Sequence, residues 1–182
     1  MSWTVVADES TQGRYLLAVT IIRNAHVAAS RRAVTDLGRS LPHWRHMSQQ
    51  SDPARSKIVS MIAGLEQRSV VYDAGGDRTS AGRQRQRQRR DSCLRALVAD
   101  LAGLTGDIRL VLDSHASAQK SDEVTLYQAR ATHNLINRLR YEHVPEQQEP
   151  LILIADAVAW CFAKGAHWYD QLGDTAERRA CP

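Results

Sequence analysis

With 182 residues and a hydrophobic share of 43%, the chain can bury one sizeable core but not two; this excludes disordered and fibrous classes and predicts a single domain over 1–182. Three distant cysteines, Cys93, Cys161 and Cys181, argue against a disulfide framework or a cysteine zinc site, and no apolar run is long enough to span a membrane. The reading is therefore of a cytoplasmic protein with no membrane partner, whose net charge of +4 is too mild by itself to establish a polyanionic one.

In chain order, residues 3–8 and 15–22 are β-rich runs separated by a polar, glycine-containing stretch, which predicts a hairpin whose first strand ends on Asp8. A helix follows over 26–38, closed by Gly38 and Pro42, and residues 43–47 read as a short strand. Asp52 and Pro53 then supply an N-cap and a first helical residue for a helix through Leu65, in which Ile58, Met61, Ile62 and Leu65 recur at helical spacing. Residues 69–72 form a compact β run ending at Asp73, and Gly75 and Gly76 break the chain.

Over 83–103 an arginine-rich start gives way to Cys93, Leu94, Leu97, Val98, Leu101 and Leu104, so one helix begins solvated and finishes packed. Residues 108–112 are a short apolar strand bounded by Asp107 and Asp113, as expected in a parallel sheet covered on both faces. Val124, Tyr127, Ala131, Leu135, Ile136 and Leu139 suggest another helix, residues 144–150 a polar link, and residues 151–162 a final apolar segment interrupted by Asp156. The alternation of strands and helices predicts an α/β fold.

Asp156 is the most informative residue. In a helix its neighbours at three and four residues are Ile152, Leu153, Ala159 and Trp160, none charged, and a buried carboxylate without compensation costs several kcal/mol or neutralises itself. A metal ion would satisfy it; so would an N-cap role after an extended 151–155, and the sequence leaves both open. Asp8 and Asp113 each close an apolar strand, and ligand sites of α/β sheets collect beyond the carboxyl ends of parallel strands. Glu9 would point to the opposite face if its strand continued, and Asp73 could replace Asp113 under a different strand order.

Arg83, Arg85, Arg87, Arg89 and Arg90 alternate with glutamines in the segment 83–90 and could track the phosphates of a nucleic acid, or simply form a solvated loop. His43, Trp44, Arg45 and His46 could offer imidazoles or a stacking surface, and His115 lies near enough to Asp113 for proton transfer. Trp160, Phe162, Trp168 and Tyr169 read as a core or interface stripe, which leaves room for a homodimer.

The opening VVADES, the strand YLLAVTII, the later LVLDS and the late LILIADAVAW together resemble an uncharacterised ribonuclease H-like domain family, from Trp3 to Gly165. Its members open with a strand leading into Asp-Glu-Ser and carry a late Ala-Asp pair in an apolar helix, matched here by Ala155 and Asp156. The resemblance implies a ribonuclease H-like mixed central sheet flanked by helices, with Asp8, Asp113 and Asp156 as catalytic ligands of Mg²⁺ or Mn²⁺. It implies a nuclease hydrolysing phosphodiester bonds of RNA or DNA, with Asp8 on the central strand as the bridging ligand. Thr11 and Gln12 stand where family members continue with glycine and an acidic residue. That departure supports an alternative, a non-catalytic nucleic-acid-binding or protein-interaction domain of the same fold.

Overall fold

A computed structural model of the chain describes residues 1–11, 13–41, 46–76, 82–114 and 118–181, excepting the side chain of residue 83. The expectations for residues 12, 42–45, 78 and 115 lie outside the described residues, as does any side-chain role for Arg83. In chain order the strands are β1 (Ser2–Ser10), β2 (Leu16–Arg23), β3 (Arg68–Asp73), β4 (Asp107–Asp113), β5 (Leu139–Val144) and β6 (Ala176–Ala180). The helices are α1 (Asn24–Ser40), α2 (Asp52–Ala63), α3 (Arg83–Leu101), α4 (Gln119–Thr132), α5 (Ile152–Lys164) and α6 (Ala166–Tyr169), with 3₁₀ turns at Met47–Gln49 and Asp170–Thr175.

All six strands form one sheet in the order β5-β4-β1-β2-β3-β6. β2 runs antiparallel to both of its neighbours, while β1, β4 and β5 run parallel to one another and β6 runs parallel to β3. Because successive side chains on a strand point to opposite faces, Val5 and Ala7 of β1 enter one core and Val6 the other. The first core also takes Cys93, Leu94, Leu97, Val98 and Leu101 of α3 and Leu126 and Ala129 of α4. The second takes Val27 and Val34 of α1, Ile58, Val59 and Ile62 of α2, and most of α5. The result is a three-layer sandwich whose central strands are apolar on both faces, as a sheet covered by helices on each side requires.

Several local expectations are corrected. β1 continues past Asp8 to Ser10, so Glu9 does face away from Asp8. Met47 begins a 3₁₀ turn rather than ending a strand, and Asp52 sits in the first turn of α2 behind Ser51 instead of capping it. The helix expected to run to Leu139 ends at Thr132, and Leu139 opens strand β5. Its buried face is Asp122, Thr125, Leu126 and Ala129, whereas Val124 and Tyr127 are exposed. Gly106 precedes β4 with φ of 90°, and a Cβ there would lie 1.7 Å from the Met1 carbonyl oxygen, so this turn admits only glycine. Among the described residues, no helix is long and apolar enough to cross a membrane.

Candidate metal centre

Parallel pairing sets Ala7 beside Leu112, so the next residues along are Asp8, two residues before the end of β1, and Asp113, the last residue of β4. By strand parity both share the face of Val6 and Val111, which is the face covered by α5. Asp156 lies in the second turn of α5, which excludes the N-cap role because the helix already begins at Ile152. The helix packs on β1 with Ile152, Ala155, Ala159 and Trp160 buried around the carboxylate, so the local sequence gives Asp156 no counter-charge.

Its partners come from elsewhere in the chain. The Met47 amide donates to Asp156 Oδ2 at 2.8 Å, and His46 Nδ1 lies 3.8 Å from Asp156 Oδ1 and 4.0 Å from Glu146 Oε2. Arg55 of α2 fixes this turn by donating to the Met47 and Ser48 carbonyls while its guanidinium covers the Trp160 ring at 4.6 Å. Asp8 Oδ1 accepts the Glu9 amide at 2.7 Å.

The electrostatics of the cluster are those of crowded anions. Burial, followed by the charge of Asp156, pushes Asp8 well above the ordinary carboxylate range; the Glu9 amide opposes this, and Asp113 and Glu9 add to it. Burial also raises Asp156, against the Met47 amide and His46 and together with Glu146. Nearby Cys161 is pushed up to about 12 by burial and by the Asp156 charge. Carboxyl groups that resist ionisation because they are buried, with neighbouring carboxylates adding to the effect, are a donor set a small divalent cation satisfies, and oxygen ligands suit Mg²⁺ or Mn²⁺. Among the described residues, however, no group of three or more His, Cys, Asp or Glu side chains is drawn tightly enough to enclose an ion.

Glu9 serves a separate network on the opposite face. Its Oε2 accepts from Tyr15 Oη at 2.5 Å and from Arg90 Nη1 at 2.6 Å. The same guanidinium donates to both oxygens of Asp122, at 2.7 and 2.8 Å, and His143 Nε2 contacts Asp122 Oδ2 at 2.9 Å. Nothing in the single sequence marked Asp122 or His143, since the pairing spans three elements. Asp73 is held by Arg14 and Arg178 on β3, two strands away from β1, so the strand order places Asp113 and not Asp73 beside Asp8.

The arginine segment is the first two turns of α3, not a loop. Arg85 and Arg87 are exposed, and Arg89 lays its guanidinium over Gly76. Arg90 departs from the expectation: it is buried, and its charge is committed to Asp122 and Glu9, because only a cation could compensate two carboxylates in that core. The contact with Glu9 also fixes where this end of α3 lies, at the carboxyl end of β1 and across the sheet from α5. Trp160 and Trp168 meet edge to face and Phe162 stacks on Tyr169, so the aromatic stripe packs on itself.

No protein-family model and no curated protein matches the chain. Among solved structures it is similar to ribonuclease HII from Archaeoglobus fulgidus, determined in complex with PCNA, with a TM-score of 0.55 and 14% identity over 94% of this chain and 76% of that one. It is also similar to Bst ribonuclease HIII in complex with Mn²⁺, with a TM-score of 0.50 and 14% identity over 94% of this chain and 52% of the other. The fold is thus ribonuclease H-like, a six-stranded mixed sheet flanked by helices.

Proposed function

We propose that the chain, as one domain over 1–182, is a divalent-metal-dependent nuclease that hydrolyses phosphodiester bonds of RNA or DNA. The observation that carries this reading is the register of β1 and β4, which brings Asp8 next to Asp113, with the Asp156 charge of α5 acting on the buried Asp8. Asp8, Asp113 and Asp156 would hold Mg²⁺ or Mn²⁺, and such an ion supplies an activated water and charge neutralisation for in-line attack on phosphorus. The resemblance carried by the VVADES and LILIADAVAW segments implies carboxylates in this role, and the Mn²⁺ complex of the structurally similar ribonuclease HIII supports that choice of ion.

The chain's own residues shape the site around those ligands. The Met47 amide and His46 orient the Asp156 carboxylate, Arg55 holds their turn, and the Glu9 amide orients Asp8. Exposed Arg85 and Arg87 stand at an α3 amino terminus with no acidic residue in its first turn, so side chains and helix dipole add to one positive field. That field would guide a phosphate backbone toward the carboxyl ends of the strands.

A second reading, a nucleic-acid-binding or protein-interaction domain without catalysis, is favoured by the engagement of Glu9 with Arg90 and by the loose spacing of potential ligands among the described residues. End-labelled RNA, DNA and RNA/DNA hybrid incubated with the protein in Mn²⁺, Mg²⁺ or chelator separate the two. The nuclease predicts cleavage that needs metal and disappears in a folded Asp8→Asn variant. Retention of the nucleic acids without cleavage in any metal would favour the second reading instead.

A further inference from the structure

Two thiols from distant parts of the chain meet beside the sheet edge. Cys93 is fully buried on α3, with its Sγ 3.7 Å from the Tyr72 carbonyl oxygen. Cys181 follows β6, is only partly buried, and is fixed by its amide, which donates to the Asp73 carbonyl at 2.8 Å. Their sulfurs lie 3.3 Å apart. Both cysteines are free, and Cys161 belongs to the core on the other side of the sheet.

We propose that Cys93 and Cys181 form a reversible disulfide clasp, closed by hydrogen peroxide and opened by thiols. A disulfide needs sulfurs about 2.05 Å apart, so closure takes a movement of about 1.3 Å, within reach of the terminal residues of an edge strand. The partly exposed thiol is the one an oxidant can meet. The neighbouring Cys93 thiol, hydrogen-bonding to it, holds Cys181 below the usual thiol range, whereas that contact and burial raise Cys93.

In the first step the Cys181 thiolate attacks one peroxide oxygen, the O–O bond breaks, and the departing hydroxide takes up a proton to leave as water. Cys181 is then a sulfenic acid. In the second step the Cys93 sulfur attacks the Cys181 sulfur, the S–O bond breaks, and the hydroxide leaves as water with the Cys93 proton. Two thiols are oxidised by two electrons and one peroxide is reduced to two waters.

The bond would close a loop of roughly 90 residues and tie edge strand β6 to α3, the helix whose first turns carry Arg85 and Arg87. In the reduced protein β6 is held by pairing with β3 and by Arg178 on Asp73 and Arg179 on Asp100. The clasp would add a covalent hold to one of the sheet's two edges.

The test treats the full chain with hydrogen peroxide, unfolds it, alkylates the remaining thiols, and reads intact mass and peptide map beside a melting curve. The expected result is a loss of about 2 Da with Cys93 and Cys181 in one cross-linked peptide and Cys161 alkylated. Melting should shift upward by several °C and return with dithiothreitol. Cys181→Ser, a small change at a partly exposed position, should lose both the mass change and the shift. Alkylation of both cysteines after oxidant, sulfinic acid at Cys181, a bond to a second chain, or a shift that survives Cys181→Ser would each overturn the proposal.

Discussion

At Asp156 a carboxylate is kept inside an apolar helix by partners more than a hundred positions away in sequence, the Met47 amide and His46. The sequence could mark this residue because its helical neighbours are all apolar, but could not supply those partners. Asp8 and Asp113 stood out as candidates for a different reason: each ends a hydrophobic run, where ligand sites of α/β sheets collect. Arg90 was misread because composition cannot distinguish an arginine facing solvent from one facing Asp122. The raised pKa of Asp8 carries a sign that can be tested. A carboxyl that binds its proton more tightly when folded favours folding below the unfolded pKa, and that contribution is lost as pH rises through the folded value. Asp8→Asn should therefore raise the melting temperature of the metal-free protein at neutral pH, by on the order of a few °C, and abolish any further rise with Mn²⁺. Thermal scans with and without metal check both effects.

At the scale of elements, the two strands that sequence reasoning missed are the two edges of the sheet. β5 reads LRYEHV and β6 reads AERRA, and each carries charged side chains where the inner strands carry aliphatic ones. Charges on edges oppose unwanted pairing with other chains, and they also erase the hydrophobic pattern by which strands are read. The inner strands β1 and β4 were recovered because both of their faces are buried. For α4 the predicted face was turned around, since Asp122 points inward to meet Arg90 and His143 while Tyr127 points out. α3 was legible in both halves, an exposed arginine-rich start and a packed finish. If its start meets phosphates, replacing Arg85 and Arg87 together by Gln should weaken RNA or DNA binding and lower the slope of log affinity against log salt by about 1.4–1.8, at ~0.7–0.9 for each phosphate no longer neutralised. Titrations at several salt concentrations measure this, and an unchanged slope would remove α3 from the interface.

For the molecule as a whole, two kinds of buried carboxylate respond to pH in opposite directions. Burial works to raise Asp122, but hydrogen bonds from His143 and Arg90 outweigh it and hold this carboxyl below its usual range; Arg31 and Arg109 do the same for Glu149. Their contribution to stability is present above the unfolded carboxylate pKa and is lost as pH falls through the lowered folded values. Asp8 and Asp156 have the reverse sign, so the metal-free protein should gain stability as pH falls from neutral and then lose it steeply below about pH 4. Asp122→Asn should cost ~3–5 kcal/mol at neutral pH by leaving Arg90 short of charge in the core, and should make the acid limb shallower. Denaturant unfolding across pH follows both changes. The architecture behind this behaviour was legible in outline from alternating strands and helices. The strand order, which decides that Asp113 and not Asp73 neighbours Asp8, was not, because pairing of distant strands leaves no local mark.

Metal-dependent chemistry at this site requires three carboxylates to share one kind of cation. Isothermal titration of Mn²⁺ into the metal-free chain and into Asp8→Asn, Asp113→Asn and Asp156→Asn measures that, repeated in buffers of different ionisation heat to count protons. The expected result is saturable binding with net proton release in the unsubstituted chain and strong loss of affinity in every variant. Absence of binding to the unsubstituted chain, or affinity undiminished by any one of the three substitutions, would contradict it.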